Sequence, residues 1–231
     1  MESVIDTVSA MPFSYHPGQN NIEIVDVQGA QALIDAAKSA GVKHFIYTSF
    51  SKNLDADYPL CKAKRATEDY LKASGMIYTI LRPGYFMEAW LSPVVGFDVA
   101  NSKAAIYGNG DQPISWVSLF DVVEFAVASL SNLAARNATL EIGGPEPVSP
   151  HQAVKLFEQA SGKTFEVSHV PAEALKAQME SAEDPMQKSF SGLMLCYANG
   201  DPIDMQANLN NFPMKLTSVQ DFVNKNLGSQ N

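Results

Sequence analysis

Residues 41–86 read GVKHFIYTSFSKNLDADYPLCKAKRATEDYLKASGMIYTILRPGYF, and this stretch decides the fold. Two short apolar runs, at 44–48 and 77–81, flank a segment at 59–74 in which apolar residues recur at helical spacing. Strands that are apolar on both faces are typical of parallel strands buried between layers of helices. The stretch therefore predicts a strand–helix–strand unit of a doubly wound, parallel α/β sheet.

Polar and glycine-containing loops follow both of these predicted strands. The first strand leads into Thr48-Ser49-Phe50-Ser51 and the second into Arg82-Pro83-Gly84-Tyr85-Phe86. In open parallel sheets, ligands bind beyond the carboxyl ends of the strands. The sequence therefore predicts a small-molecule site at the edge where these two loops meet.

The composition and net charge of the chain argue against two classes of binding partner. The chain of 231 residues carries a net charge of −9, and its Lys and Arg residues form no cluster on a predicted face. This charge balance argues against nucleic acid and against an anionic membrane as constitutive partners. No apolar stretch is long enough to span a bilayer, and no basic segment followed by an apolar run stands at the N-terminus.

The two cysteines and four histidines predict neither a metal site nor a disulfide framework. Cys61 and Cys196 are far apart in sequence and lack C-x-x-C spacing. None of the histidines has metal-ligand spacing: His16, His44, His151 and His169. Reduced, unpaired cysteines fit a cytoplasmic protein best.

Several motifs together resemble the NmrA-like branch of the atypical short-chain dehydrogenase/reductase superfamily. They are GVKHFIYTS at 41–49, Lys64-x-x-x-Glu68, YTILRPG at 78–84, ISWV at 114–117 with DVV at 121–123, and GGPE at 143–146. The resemblance implies a Rossmann domain that binds NADP(H) or NAD(H). It also implies either a reductase or a non-catalytic redox sensor.

One feature of that family is missing from the sequence. The family opens with a strand, a Gly-x-x-Gly-x-x-Gly loop and a helix, whose N-terminus binds the pyrophosphate. The first glycine here is Gly18, in a proline-containing loop. The chain therefore resembles the family from its fourth strand onward, without about 60–70 residues of βα units. A fragment, a misassigned start and a true loss of that half all fit this pattern.

The resemblance also implies how the chain is organised. Residues 1–145 are expected to form an incomplete Rossmann-like domain that lacks the first strands, with 139–145 as its last strand. Residues 146–231 are expected to form a mostly helical part that shapes the substrate pocket. Ahead of the organising stretch, the pattern predicts a strand at 3–9 and a helix from Asp26, as N-cap, to Ala40.

The same resemblance indicates which residues occupy the positions of the family's cofactor site. Thr7 and Ser9 match positions beside the adenosine half, although a merely polar strand end explains them equally well. Thr48 and Ser49 match the strand end near the nicotinamide ribose, with Ser49 in the place of the superfamily's catalytic serine. A third group matches the loop against the nicotinamide ring: Pro83, Gly84 and Phe86.

A lysine on the helix at 59–74 is the candidate catalytic group. Tyr58 and Lys62 have the superfamily's Tyr-x-x-x-Lys spacing, but a helical wheel turns Lys62 towards water. Lys64 lies at the border of the apolar face and belongs to the family's Lys-x-x-x-Glu pattern, so it is predicted to bind the ribose. The alternative is that Lys64 extends to the surface and pairs with Glu68. In the Lys64 register the position of the tyrosine acid is Leu60, which transfers no proton.

Two functions from different classes remain open at this point. The first is an NAD(P)H-dependent reductase of a small apolar carbonyl or quinone-like compound. Its substrate pocket is predicted to be lined by Tyr85, Met87, Trp90 and Phe190. The second is a non-catalytic NAD(P)-sensing or binding protein, or a truncated domain with impaired cofactor binding.

Arg82 is expected to be a structural ion-pair residue. An open sheet edge at Val4, Ile5 and Val8 predicts a homo-oligomer.

Overall fold

Four parallel strands form the main sheet; the parallel arrangement is as predicted, but the first strand ends at Asp6 and not at Ser9. The computed structural model describes residues 2–11, 16 and 18–228. The strands are paired in the order β1 (Ser3–Asp6), β2 (His44–Thr48), β3 (Ile77–Pro83) and β6 (Ala138–Ile142). All three pairings are parallel, and their registers align the C-terminal ends of β2 and β3 at one edge of the sheet.

Helices cover both faces of this sheet, which explains why its central strands carry apolar residues on both faces. Phe45 and Tyr47 of β2 pack against α1 (Ala30–Ser39) and α2 (Pro59–Ala73). Ile46, on the opposite face of the same strand, packs in the cluster that includes α4 (Leu119–Ser129). Side chains alternate across a strand, so a strand between two helical layers carries apolar residues on both of its faces.

The segment before α1 differs from the prediction. Glu23–Gly29 form a π-helical stretch that continues directly into α1, and Asn21 caps its first turn by accepting the backbone N–H of Ile24 at 2.9 Å. The assignment of Asp26 as an N-cap is therefore wrong, because Asp26 lies inside the helical segment and its side chain is buried. The predicted stop after Ala40 is confirmed, since Gly41 adopts a left-handed conformation with φ of 74°.

A second, three-stranded sheet contains β4 (Phe97–Asp98), β5 (Lys103–Tyr107) and β7 (Glu166–Val170). β5 lies between the other two, antiparallel to β4 and parallel to β7. This pairing joins segments from both sides of residue 145. The division of the chain at that residue stays a prediction, and the described contacts cross it.

The remaining described elements are mostly helical. They are α3 (Met87–Trp90), α5 (Pro150–Ser161), α6 (Ala172–Ser181), α7 (Pro185–Asn199), α8 (Gln206–Asn211) and α9 (Val219–Gly228). A capping box formed by Ser149 and Gln152 opens α5. Residues 114–117 form isolated bridges and no regular strand. None of the helices in the described residues is long and apolar enough to cross a membrane.

Asp201 ties the C-terminal part of the chain to the strand ends. Its Oδ1 accepts hydrogen bonds from Ser51 Oγ at 2.7 Å and from Asn53 Nδ2 at 2.9 Å. Its Oδ2 has no hydrogen-bond partner among the described residues and lies against Gly84, where a Cβ would approach it to 2.5 Å. Only glycine fits there. Burial raises the pKa of Asp201 above its ordinary value, although the hydrogen bonds from Ser51 and Asn53 oppose this shift.

Asp201→Asn is expected to weaken the pH dependence of stability. Because the pKa of Asp201 is raised by folding, this group stabilises the fold below its unfolded pKa of about 3.9 and loses that contribution as the pH rises through the folded pKa. Asparagine keeps an acceptor for Ser51 and Asn53 and carries no charge. Chemical denaturation should therefore show a smaller loss of unfolding free energy between acid and neutral pH than in the wild type.

The control is Asp69→Asn, which changes a carboxylate whose side chain is 80% exposed. That variant should keep the pH profile of the wild type. A profile of Asp201→Asn that parallels the wild type would show that Asp201 is ionised freely in the folded protein.

Candidate cofactor and substrate site

A cavity of about 260 Å³ lies beyond the C-terminal ends of the first three strands. It is bounded by the loops after β1, β2 and β3, the first turns of α2, α3 and part of α7. Of the residues that the sequence assigned to cofactor and substrate, all except Met87 line it: Thr7, Ser9, Thr48, Ser49, Lys64, Pro83, Gly84, Tyr85, Phe86, Trp90 and Phe190. Their roles there remain predictions, but the fold brings them together.

Met87 is the exception. Its side chain is fully buried in the main core cluster, and it does not line the cavity. The one-turn helix α3 places Phe86 and Trp90, four residues apart, on the cavity side. Met87 follows Phe86 by one residue, about 100° around the helix, and therefore points into the core.

Several apolar lining residues were not found from the sequence. They are Met11, Phe50, Leu54, Leu60, Ala89, Val94, Val95 and Leu193. Leu60 had a usable signal, because it lies one helical turn before Lys64 on α2. Val94, Val95 and Leu193 had none, since tertiary packing of irregular and helical segments places them at the wall.

The ammonium of Lys64 is buried at the cavity. Its side chain is 6% exposed, and Nζ lies 3.1 Å from Oδ1 of Asp26, whose side chain is fully buried. Nζ also lies 5.3 Å from the centre of the Tyr47 ring, in a cation–π arrangement. The alternative pairing of Lys64 with Glu68 at the surface is not what the structure shows.

A second carboxylate stands near this pair. Asp6 is buried at the end of β1, where its Oδ1 accepts the backbone N–H of Val8 at 3.0 Å. Burial raises the pKa of Asp6, against the opposing effects of the Val8 hydrogen bond and the positive charge of Lys64. Burial acts to lower the pKa of Lys64, but its electrostatic interactions with Tyr47 and with the carboxyl groups of Asp26 and Asp6 outweigh this effect, so the pKa is raised.

Glu68 is the centre of a separate ionic network one helical turn after Lys64. Its side chain is 1% exposed and accepts hydrogen bonds from Ser49 Oγ at 2.6 Å and from Arg82 Nε at 3.0 Å. Arg65 Nη1 contacts both Glu68 and the Ser49 hydroxyl. Burial acts to raise the pKa of Glu68, but the hydrogen bonds from Arg82 and Ser49 and the arginine charges lower it overall.

This network engages the hydroxyl of Ser49 and the guanidinium of Arg82. The Ser49 hydroxyl donates its one proton to the Glu68 carboxylate and accepts a hydrogen bond from Arg65. It thereby connects the end of β2 to α2. Arg82 forms ion pairs with Glu68 and with Glu141. The prediction that Arg82 is a structural ion-pair residue is confirmed.

Two buried hydroxyls near the cavity lack partners. Thr48 Oγ1 and Tyr47 Oη have no hydrogen-bond partner among the described residues. Thr48 lies at the end of β2 and lines the cavity. Because buried hydroxyls normally form hydrogen bonds, Thr48 Oγ1 is available to a polar ligand at this position.

The Tyr58 and Lys62 pair lies outside the cavity. Lys62 is 72% exposed and pairs with Asp57, while the fully buried Tyr58 donates its hydroxyl proton to the carbonyl of Leu54. The spacing that matches Tyr-x-x-x-Lys is therefore accidental in this fold. No group of three or more potential metal ligands occurs in the part of the chain that the structure describes.

Comparison with known proteins identifies the relatives of this chain. The profile of the NmrA-like family matches residues 2–223. The photosystem II assembly factor Ycf39 of Trieres chinensis is 28% identical over 75% of this chain and 53% of that protein. The NAD(P)H azoreductase of Xenophilus azovorans is 27% identical over 71% of this chain and 59% of that protein. The chain thus spans little more than half the length of these two relatives.

Solved structures agree with the fold. The NADPH-dependent quinone oxidoreductase QOR2 of Escherichia coli, complexed with NADPH, superposes with a TM-score of 0.73 at 20% identity. The superposition covers 96% of this chain and 75% of that chain. At this identity the likeness shows the fold alone, which is the Rossmann type of doubly wound α/β structure.

Glu68→Gln is expected to destabilise the fold strongly. Removing the charge leaves Arg65 and Arg82 without their shared carboxylate, and breaking a buried ion pair costs about 3–5 kcal/mol. The loss should be measured as a fall in the free energy of unfolding by urea denaturation. Glu141→Gln is the matched control, because it removes a carboxylate that is 33% exposed and also pairs with Arg82. Its effect should stay within about 1 kcal/mol; equal losses in both variants would contradict the central role of Glu68.

Proposed function

Because the chain belongs to the NmrA-like family, we propose that it binds a nicotinamide dinucleotide, NADP or NAD, at the cavity beyond β1–β3. The nicotinamide ribose lies against Lys64 and Thr48, and the ring lies against Pro83, Gly84 and Phe86. The observation that carries this proposal is a buried ammonium beside a buried, unpartnered hydroxyl in a cavity with apolar walls.

The cavity suits one part of the cofactor. Ligand pockets are usually about 300–1,000 Å³, so a space of about 260 Å³ accepts the nicotinamide and ribose rather than a whole dinucleotide. Lys64 supplies a charged donor and Thr48 supplies a hydroxyl that both donates and accepts. We assign Thr7 and Ser9, at the exit of β1, to the side of the adenosine half.

We expect this chain by itself to bind the dinucleotide weakly. None of its 231 residues forms a Gly-x-x-Gly-x-x-Gly loop. That loop provides the backbone N–H donors and the helix N-terminus that bind the two phosphates. The contacts that remain on this chain serve the nicotinamide half, and experiments on it need a method that detects weak binding.

The reaction we propose is reduction of a small apolar carbonyl or quinone-like compound. The nicotinamide cofactor supplies a hydride. Lys64 holds a proton at Nζ beside the cavity, with a pKa raised above its ordinary value despite burial, so the group is charged at neutral pH. Tyr85 also lines the cavity, but its hydroxyl donates to the carbonyl of Leu193. Lys64 is therefore the residue we assign to hold a proton near the substrate.

The substrate class follows from the cavity walls. Tyr85, Trp90 and Phe190 present aromatic surface, and the rings of Trp90 and Phe190 are nearly parallel at 6.3 Å. Such surface favours planar, apolar compounds. The relatives named an azoreductase and a quinone oxidoreductase support this class without identifying the compound.

The second candidate function is a non-catalytic sensor of nicotinamide dinucleotides. Two observations favour it: Leu60 stands where the tyrosine acid is expected, and the Ser49 hydroxyl is bound to Glu68. Both functions use the same cavity. A turnover assay distinguishes the two functions, because only a reductase oxidises NADPH in the presence of a quinone.

We also propose a cytoplasmic location, with which the free thiols of Cys61 and Cys196 agree.

We propose self-association through β1. Among the described strands β1 pairs only with β2, so its other edge carries unpaired backbone groups. Ile5 is 39% exposed on this strand, and Val8, just beyond it, is 58% exposed. An exposed apolar edge pairs readily with another chain. A second copy of this chain is the partner that we infer.

Ile5→Lys is expected to shift the protein towards monomer, because lysine on an edge strand opposes strand pairing. Sedimentation velocity over a concentration series provides the measurement. Val127→Lys, at a residue 57% exposed on α4, is the control and should associate like the wild type. A wild type that is monomeric at every concentration would contradict the proposal.

Lys64→Met is expected to weaken the binding of reduced nicotinamide mononucleotide about tenfold or more, since a hydrogen bond to a charged group contributes about 1.5–3 kcal/mol. Methionine retains much of the packing of the lysine stem. Nuclear magnetic resonance titration detects weak complexes, and the amides of Thr48 and Phe86 should shift in the wild type. Circular dichroism confirms that the variant is folded.

Lys62→Met is the matched control on the same helix and should bind like the wild type. No shift at the cavity up to about 10 mM probe, which corresponds to less than about 2.7 kcal/mol of binding, would contradict the proposed site. Loss of a measured reductase activity on Tyr58→Phe would instead overturn the assignment of Lys64.

A further inference from the structure

Asp26 holds Lys64 from outside the helix on which Lys64 lies. The carboxylate belongs to the π-helical segment Glu23–Gly29, and the ammonium belongs to α2. Oδ1 of Asp26 lies 3.1 Å from Lys64 Nζ, and Oδ2 accepts the backbone N–H of Ala10 at 3.0 Å. Both oxygens of this carboxylate are thus directed by contacts within the protein.

The backbone of Asp26 is fixed to the same helix. Its carbonyl accepts a hydrogen bond from Thr67 Oγ1 at 2.8 Å, and Thr67 is fully buried. Thr67 lies three residues after Lys64, on the adjacent turn of α2. The hydrogen bond and the ion pair therefore join the same two segments, and both charged groups lie on helical backbone.

Stability alone gives a poor account of this pair. Taking two charges out of water costs several kcal/mol per ion, and apolar replacements of buried ion pairs are often neutral or stabilising. Buried, mutually coupled ionisable groups that line a cavity are typical of functional sites. Lys64 lines the cavity, whereas Asp26 does not, so Asp26 acts on a ligand through Lys64.

Neighbouring groups do not replace Asp26. Asp6 and Tyr47, which are paired across β1 and β2, face the same cluster. Asp6 directs Oδ1 to the Val8 N–H, and the ion pair of Lys64 is formed with Asp26. Tyr47 offers its ring to the ammonium. Asp26 is thus the carboxylate in direct contact with Nζ.

We propose that Asp26 is the positioning residue of the site: it keeps Lys64 protonated inside the cavity and directs its ammonium to the end of β2. This inference rests on the proposed function, in which Lys64 binds the nicotinamide ribose. Asp26 itself contacts neither cofactor nor substrate. Its effect on binding is exerted entirely through the charge and the place of one ammonium.

The test measures the lysine directly. Lysine labelled with ¹³C at Cε reports the titration of Lys64 by nuclear magnetic resonance, assigned by comparison with Lys64→Met. Asp26→Asn should lower the pKa of Lys64 by about one unit or more, because its nearest negative charge is removed. The same variant should bind reduced nicotinamide mononucleotide about tenfold more weakly. Asp57→Asn, next to the exposed Lys62, is the control and should change neither quantity.

Asp26→Glu keeps the charge and moves it by one methylene. It also provides a test if Asp26→Asn does not fold. It should keep Lys64 protonated yet weaken binding of the mononucleotide, because the ammonium is displaced; a purely structural role predicts unchanged binding. An unchanged Lys64 titration in Asp26→Asn, or wild-type binding by folded Asp26→Glu, overturns the inference. If the wild type binds no mononucleotide, the proposed function fails, while the titration still decides whether Asp26 sets the state of Lys64.

Discussion

The buried carboxylate of Glu68 is the interaction on which the site depends. It joins α2 to the end of β2 through Ser49 and to β3 through Arg82. Because these contacts fix the rotation of α2 about its axis, they also fix the direction of Lys64, which lies one turn earlier. Lys64 then forms its ion pair with Asp26 of the π-helical segment Glu23–Gly29. Two ionic contacts on adjacent turns therefore set α2 against the ends of β2 and β3 and against this segment, with the ammonium of Lys64 at the cavity.

Much of this arrangement was predictable because it depends on local periodicity. Apolar runs predicted the parallel strands, and the polar loops after them predicted the place of the cavity. The structure differs where distant segments or irregular helix geometry decide the outcome. Asp26, the partner of Lys64, lies in a π-helical segment. Its period differs from that of an α-helix, so the sequence pattern does not show that Asp26 faces inward. Met87 was misplaced because a one-turn helix gives too little periodicity to show which face is buried.

The site combines features of an enzyme and of a binding protein. A protonated lysine and aromatic walls suit reduction of a planar compound, whereas the occupied serine hydroxyl and the leucine at Leu60 remove the usual acid chemistry of the superfamily. These features are compatible because, in the proposed function, the same ammonium binds a ribose and holds a proton. The protein is a reductase if a substrate reaches Lys64 from the side of the aromatic residues, and a sensor if the cofactor alone binds there.

The most direct measurement is a crystal structure of the protein soaked with reduced nicotinamide mononucleotide. We expect a ribose within hydrogen-bond distance of Lys64 Nζ and Thr48 Oγ1, the ring against Pro83 and Phe86, and the contact between Lys64 and Asp26 retained. A mononucleotide bound at another surface, or a Lys64 ammonium that turns away from the ribose, would contradict the central claim.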